Sequence, residues 1–256
     1  MNAEQQKAYD KARKEILAAV RNTAAGQPVT ALGLYNRGLT VLPPEIGQLT
    51  ALEALFLHGN ELTTLPAELG RLTALTLLDV GENRLARLPD VLWQLTSLRE
   101  LYLYSNGLDE LPEALTRLEH LEKLAVHDNP LTTLPDWLPR LSRLKGLYLG
   151  SALGGCPLRH LPECLRYLPQ LERLWANDFA LESLPDWLGE LTALRQLRLA
   201  NNRLTALPAS LRRLTNLATL DLNGNPGLAF LGPEVLEKLG GAQQILAQYF
   251  RLRPAE

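Results

Sequence analysis

LEALFLHGNELTTLPAELGRLTA, residues Leu52 to Ala74, runs directly into LTLLDVGENRLARLPDVLWQLTS, residues Leu75 to Ser97. The two 23-residue blocks share one pattern. An aliphatic residue, almost always leucine, stands at positions 1, 4, 6, 11, 14, 18 and 21, with asparagine at 9 and proline at 15. Self-similarity at a fixed period of this length means a solenoid, because a single unit cannot bury its own apolar face and must stack on a neighbour.

Outward from this pair the pattern extends to nine units, whose first residues are Val29, Leu52, Leu75, Leu98, Leu121, Leu144, Leu171, Leu194 and Leu217. Every step is 23 residues except the 27 from Leu144 to Leu171. The four extra residues lie within GSALGGC, Gly150 to Cys156, as a binding loop or a tolerated glycine-rich bulge. The alternation at positions 4 to 6 has the period of a short strand, so both leucines point into the core and positions 3, 5 and 7 face outward. Asn60, Asn83, Asn106, Asn129, Asn202 and Asn225 fill position 9, with Cys156 as a substitute. An asparagine ladder can satisfy backbone groups where the chain leaves each strand. Arg37 and Phe179 break the ladder, and those two turns need another solution. The Leu-Pro pair at positions 14 and 15 opens an outer arc of extended chain or short helical turns.

Both ends depart from the repeat. Residues 3–25 are rich in strong helix formers. Asn2 and Gln5 are placed for a capping box, and Ala12, Ile16, Ala19, Val20 and Thr23 form an apolar stripe suited to covering the first unit. After Gly227 the Leu-Pro signal is lost. Pro233, Val235, Leu236 and Leu239 read as one short helix, and Ala242 to Leu252 as a second, presenting Ile245, Leu246, Tyr249 and Phe250. The expected organisation is an N-terminal capping helix over 1–28, repeats over 29–228 and a helical cap over 229–256.

This unit resembles the leucine-rich repeat, L-x-x-L-x-L-x-x-N/C-x-L, in its short 23-residue intracellular and bacterial class. The tail GPEVLEKLGGAQQILAQYF resembles the segment that closes such arrays. The resemblance covers Val29 to about Leu228. It implies an α/β solenoid, a right-handed curved superhelix with a parallel sheet on its concave side and helical caps. It also implies protein recognition on that concave face, as in bacterial effectors and in the repeat arrays of Roco-type proteins.

On the expected concave face stand Tyr35, Phe56, His58, Asp79, Tyr102, Tyr104, His127, Tyr148, Arg173, Trp175 and Arg198. Its centre is expected around Tyr102, Tyr104, His127, Tyr148 and Trp175. Six of the fifteen aromatic residues fall on this one sheet. A core already built of leucine does not require them there, whereas exposed Tyr and Trp beside Arg are the material of binding hot spots. Cross-rung packing of strand aromatics is the structural alternative. Trp93, Trp137 and Trp187 fall on the outer arc.

Chemistry is sparse. His58 and His127 are three rungs apart, roughly 14 Å at ordinary strand spacing, too far to share a metal. His127-Asp128 and His160 with Cys164 are weak local pairs. No phosphate-binding, metalloprotease, hydrolase or dinucleotide motif occurs. The reading is of a non-enzymatic module with no cofactor and no metal. Net charge of -2 offers no field for nucleic acid or an anionic membrane. Two cysteines, a polar N-terminus and the lack of an 18-residue apolar run point to a cytoplasmic protein, and a protein partner is what the resemblance and the aromatic face imply. Translocation into a host cell by a specialised system, service as the recognition domain of a larger signalling enzyme, and self-association through the concave face stay open.

Overall fold

The computed structural model describes residues 1–150, 159–231 and 241–253. Outside them lie Ser151 to Cys156 of the insertion, with Cys156 of the expected ladder, and the expected helix at Pro233, Val235, Leu236 and Leu239. The chain forms two compact units, Met1–Asn129 and Pro130–Glu256.

The N-terminal unit opens with helix α1, Ala3–Ala24. Its first turn is closed by a capping box. The Asn2 side chain accepts from the Gln5 backbone N–H, and the Gln5 side chain accepts from the Asn2 N–H, both at 2.9 Å. Ala12, Ile16 and Ala19, at helical spacing, are buried. Ion pairs of 2.6 Å fix the helix to the first repeat, Arg13 with Glu45 and Arg37 with Glu15. Five three-residue strands follow: β1 Ala31–Gly33, β2 Ala54–Phe56, β3 Leu77–Asp79, β4 Glu100–Tyr102 and β5 Lys123–Ala125. Each pairs in parallel with the next at the same repeat position, so that Leu55 faces Leu78 and Leu78 faces Leu101.

The C-terminal unit repeats the plan with β6 Gly146–Tyr148, β7 Arg173–Trp175, β8 Gln196–Arg198 and β9 Thr219–Asp221. The 27-residue step leaves the register intact, since Leu147 still pairs with Leu174. Helix α2, Ala242–Leu252, buries Ala242, Ile245, Leu246, Tyr249 and Phe250. The Tyr249 hydroxyl accepts from the Leu207 backbone N–H at 2.8 Å, and Gln243 donates to the carbonyls of Leu214 and Leu217. The cap thus satisfies backbone groups that a further rung would otherwise have met.

The outer arc consists of 3-10 helices, among them Ala67–Arg71, Asp90–Gln94, Glu113–Arg117, Asp186–Glu190 and Ala209–Arg213. The leucine spacing explains the choice. Leu69, Leu72 and Leu75 are three apart, and at three residues per turn they align on one face. The Leu69 N–H donates to the Pro66 carbonyl, that of Leu72 to Leu69, and that of Leu75 to Leu72, each at 3.0 Å. This chain of turns delivers the backbone to the next strand. Proline at position 15, extended at ψ of 144 to 148° in Pro66, Pro89, Pro112 and Pro208, starts each helix without needing a donor of its own.

At position 9 the asparagines are buried. Asn60 is representative. Its Oδ1 accepts from the backbone N–H groups of Arg37 and Leu39, and its Nδ2 donates to the carbonyls of Leu34 and Leu57. Each amide therefore ties its own rung to the one before. The departure at Arg37 follows from this direction. The first rung has none before it, and Arg37 reaches back to Glu15 of α1 instead. Phe179 is buried at the equivalent place.

Removing one amide orphans a buried N–H. Asn106→Ala leaves the Leu85 N–H without its acceptor and takes one of two side-chain donors from each of the Val80 and Leu103 carbonyls, which keep those of Asn83 and Asn129, and it is expected to cost about 1–3 kcal/mol in urea unfolding followed by circular dichroism. Asn216→Ala, which removes one exposed bond to Thr192, is expected to cost about 0.5 kcal/mol or less.

Candidate functional site

Leucines at positions 4 and 6 fill the core, so the alternate positions project from the opposite side of each sheet. In the N-terminal unit, position 5 runs Phe56, Asp79, Tyr102 on paired strands, and position 7 runs Tyr35, His58, Gly81, Tyr104, His127. The aromatic side chains pack on one another along the ladder. Tyr35 and His58 stack at 4.9 Å with rings 2° from parallel, and Tyr104 and His127 at 4.7 Å and 4°. Between the two stacks lies Gly81. A Cβ there would stand 2.3 Å from the Tyr104 ring, so the glycine is what lets that ring lie across the third rung. Tyr35 is half exposed at 51%, while Phe56, His58, Tyr102, Tyr104 and His127 are partly covered by these contacts.

The polar groups of this face form a second network. Asp79 Oδ1 accepts from the Gly81 N–H, and its Oδ2 lies 3.0 Å from His58 Nδ1. Glu100 accepts from the Tyr102 hydroxyl at 2.7 Å and pairs with Lys123 at 2.8 Å. Burial, with Asp79 and Glu82 adding negative charge, pushes the Tyr104 phenol up to about 12. Burial likewise lowers the pKa of His127, against the opposing pull of Asp128 and Asp79, which favours the neutral imidazole.

The C-terminal unit carries its own cluster. Tyr148 meets Trp175 edge-on at 4.8 Å, and the Arg198 guanidinium lies 4.2 Å over the Trp175 ring. Among the described residues, Trp175 Nε1 is covered and has no acceptor. Arg173 stands 3.9 Å from Glu172. The cluster offers a flat aromatic and cationic surface suited to side-chain packing and to carboxylates.

The expected face residues thus divide into an aromatic–acidic group (Tyr35, Phe56, His58, Asp79, Tyr102, Tyr104, His127) and an aromatic–basic group (Tyr148, Arg173, Trp175, Arg198). Missed from the sequence was the turn at position 8. Asn36, Gly59, Glu82, Ser105, Asp128, Asp178, Asn201 and Gly224 all adopt φ between 51 and 69°. The signal was present, since Gly, Asn and Asp recur where a left-handed residue is required.

Groups considered for chemistry do not assemble. His127 and Asp128 are 4.0 Å apart. Cys164 sits in the 3-10 helix Glu163–Tyr167, 7% exposed, with its thiol pushed up to about 11 by burial and then by Asp136. Among the described residues, no three His, Cys, Asp or Glu side chains are placed to hold a metal, and no helix is long and apolar enough to cross a membrane. Of the three outer tryptophans, Trp93 is buried and Trp137 and Trp187 are half-buried.

A stack of strand–turn–3-10 units with a leucine core, an asparagine turn and a side-chain-rich outer sheet face defines a repeat-solenoid protein. The chain belongs to the leucine-rich repeat family: the model described as "Leucine-rich repeat region" matches residues 30–106 and 92–228. No curated protein matches it. Among solved structures, a leucine-rich repeat protein of Leptospira interrogans is 33% identical, over 82% of this chain and 57% of that one, with a TM-score of 0.66. Internalin C2 of Listeria monocytogenes is 25% identical over 80% of this chain and 91% of that one, with a TM-score of 0.66. The ectodomain of the Arabidopsis receptor kinase HAESA, solved with its IDA peptide hormone ligand, is 30% identical over 80% of this chain and 35% of that one, with a TM-score of 0.60. The chain therefore spans just over half of the Leptospira protein and about a third of the plant ectodomain. Leucine-rich repeats are in general protein-interaction modules rather than enzymes.

At pH 8 a thiol titrating near 11 is thiolate in only about one molecule in a thousand. Cys164 is thus expected to resist iodoacetamide in the native protein and to react fully in urea, as read by peptide mass mapping.

Proposed function

We propose that this chain is a non-enzymatic protein-recognition module that binds a protein or extended peptide on the outer faces of its sheets. The observation that carries the reading is the placement of the aromatic side chains. Tyr35, Phe56, Tyr102 and Tyr104 in one unit, and Tyr148 and Trp175 in the other, stand opposite a core that leucine already completes. Ring contacts hold Tyr35, Tyr104, Tyr148 and Trp175 in place, and the Glu100 bond holds Tyr102, before a partner arrives, which lowers the entropy lost on binding. Arg173, Arg198 and Asp79 supply the charge that sets orientation. The HAESA ectodomain, a relative at 30% identity, is itself seen with a peptide ligand. A bacterial, cytoplasmic setting is proposed alongside, on the low cysteine usage and the likeness to the Leptospira protein.

Tyr102→Ala and Trp175→Ala test the two units separately and together. With folding verified by circular dichroism, the double variant is expected to bind a partner captured by the wild type at least about tenfold more weakly. Unchanged affinity in a folded double variant would remove the outer sheet faces as the site.

A further inference from the structure

The face of the N-terminal unit is asymmetric in charge. At its strand and turn positions stand six carboxylates, Glu53, Asp79, Glu82, Glu100, Glu122 and Asp128, against three cations, Arg37, Arg99 and Lys123. All three cations are already engaged, Arg37 with Glu15 at 2.6 Å, Arg99 with Glu122 at 2.7 Å and Lys123 with Glu100 at 2.8 Å. The corresponding positions of the C-terminal unit hold Lys145, Arg173, Arg195 and Arg198 against Glu172, Asp178 and Asp221, so the acidic surplus is not a general property of the repeat.

The third rung concentrates that surplus between aromatic walls. Strand register places Asp79 between Phe56 and Tyr102. One position pair further along, Gly81 lies between His58 and Tyr104, and the Tyr104 ring leans over it. Glu82 stands at the edge of the same rung. Among the described residues its side chain makes no hydrogen bond or ion pair. Its backbone, at φ 51°, is in the left-handed region, where the neighbouring rungs place glycine and serine, Gly59 and Ser105. A glutamate there costs about 1 kcal/mol in backbone strain that a glycine would avoid. Asp79 is already held by the Gly81 N–H and by His58, with 13% of its side chain exposed, so it supplies negative charge from beneath; the open Glu82 carboxylate at the rim, with ring faces beside it, is the group that a guanidinium or ammonium can reach.

We infer that the sheet face of the N-terminal unit docks a basic segment of the partner protein, with one arginine or lysine paired with Glu82 at the third rung, over the negative charge of Asp79, and flanked by Phe56, Tyr102 and Tyr104. This inference rests on the recognition reading above and narrows it to one partner chemistry. Acidic segments are excluded by like-charge repulsion, and neutral ones leave Glu82 uncompensated.

The test uses the full chain and a fluorescein-labelled peptide of alternating arginine and serine, with its glutamate–serine counterpart, read by anisotropy at low salt. The arginine peptide is expected to bind with affinity falling as salt rises, and the glutamate peptide, which the Arg173 and Arg198 cluster of the other unit can take, serves as the control for the substitutions that follow. Asp79→Asn with Glu82→Gln keeps the side-chain shapes and is expected to weaken the arginine peptide about tenfold. Asp109→Asn with Glu110→Gln removes the same charge at exposed residues away from this face and is expected to leave affinity unchanged. No binding of the arginine peptide, equal loss of it in both double variants, or an equal loss of the two peptides in Asp79→Asn with Glu82→Gln would overturn the inference. Loss of a captured partner from Tyr102→Ala together with any of those results would leave the recognition reading standing and reject only the basic segment.

Discussion

Everything in this molecule depends on the side-chain amide at position 9. A 23-residue coil must leave its strand inside a dry core, where unpaired backbone groups are costly. The buried asparagines meet that demand in both directions. Oδ1 accepts from N–H groups of the preceding rung, and Nδ2 donates to carbonyls of both rungs. Leucine packing supplies the bulk of the burial energy, but leucine is indifferent to register. The amide bonds fix which turn lies over which, and so make every strand present the same positions outward.

That constraint frees the outer sheet face. The core is sealed by positions 1, 4, 6, 9, 11, 14, 18 and 21, so positions 3, 5 and 7 can vary with little effect on it. Variation is visible within this single chain. Positions 5 and 7 carry Gly33 and Tyr35 in one rung, Asp79 and Gly81 in another, and Trp175 and Asn177 in a third. Neighbouring rungs then negotiate among themselves. Gly81 is small because Tyr104 lies across it, and His58 stacks on Tyr35 while facing Asp79. The recognition surface is thus a set of short-range agreements between adjacent rungs, laid over a scaffold that does not change.

Much of this was readable before any coordinates. The strand positions follow from the Leu-x-Leu alternation, α1 from composition and its Asn2–Gln5 cap, and the α2 buried face from Ile245, Leu246, Tyr249 and Phe250. The candidate face was readable as a set of residues but not as an arrangement. Tyr104 and His127 are 23 residues apart in the chain, and only the register reveals that their rings are parallel. Their partial burial, and the rise in the Tyr104 pKa, follow from that packing. The outer arc was open between extended chain and helical turns, and the three-residue leucine spacing decides for 3-10 geometry. Arg37 looked like a defect in the ladder until the direction of the amide bonds showed that a first rung has nothing behind it to bond. Glu82 could not be weighed from sequence alone, because its significance lies in a backbone conformation that its neighbours meet with smaller residues.

The direction of the amide bonds has an evolutionary side. Since each rung is completed by the one that follows it and carries its own face residues, copying a 23-residue block inserts a finished rung with a new pair of surface side chains and no new demand on the core. Unequal crossing-over between blocks as alike as Leu52–Ala74 and Leu75–Ser97 would lengthen or shorten such a protein in whole rungs. A lineage could in this way change the reach and composition of its binding surface in one genetic event, with point substitution left to adjust the contacts between adjacent rungs afterwards.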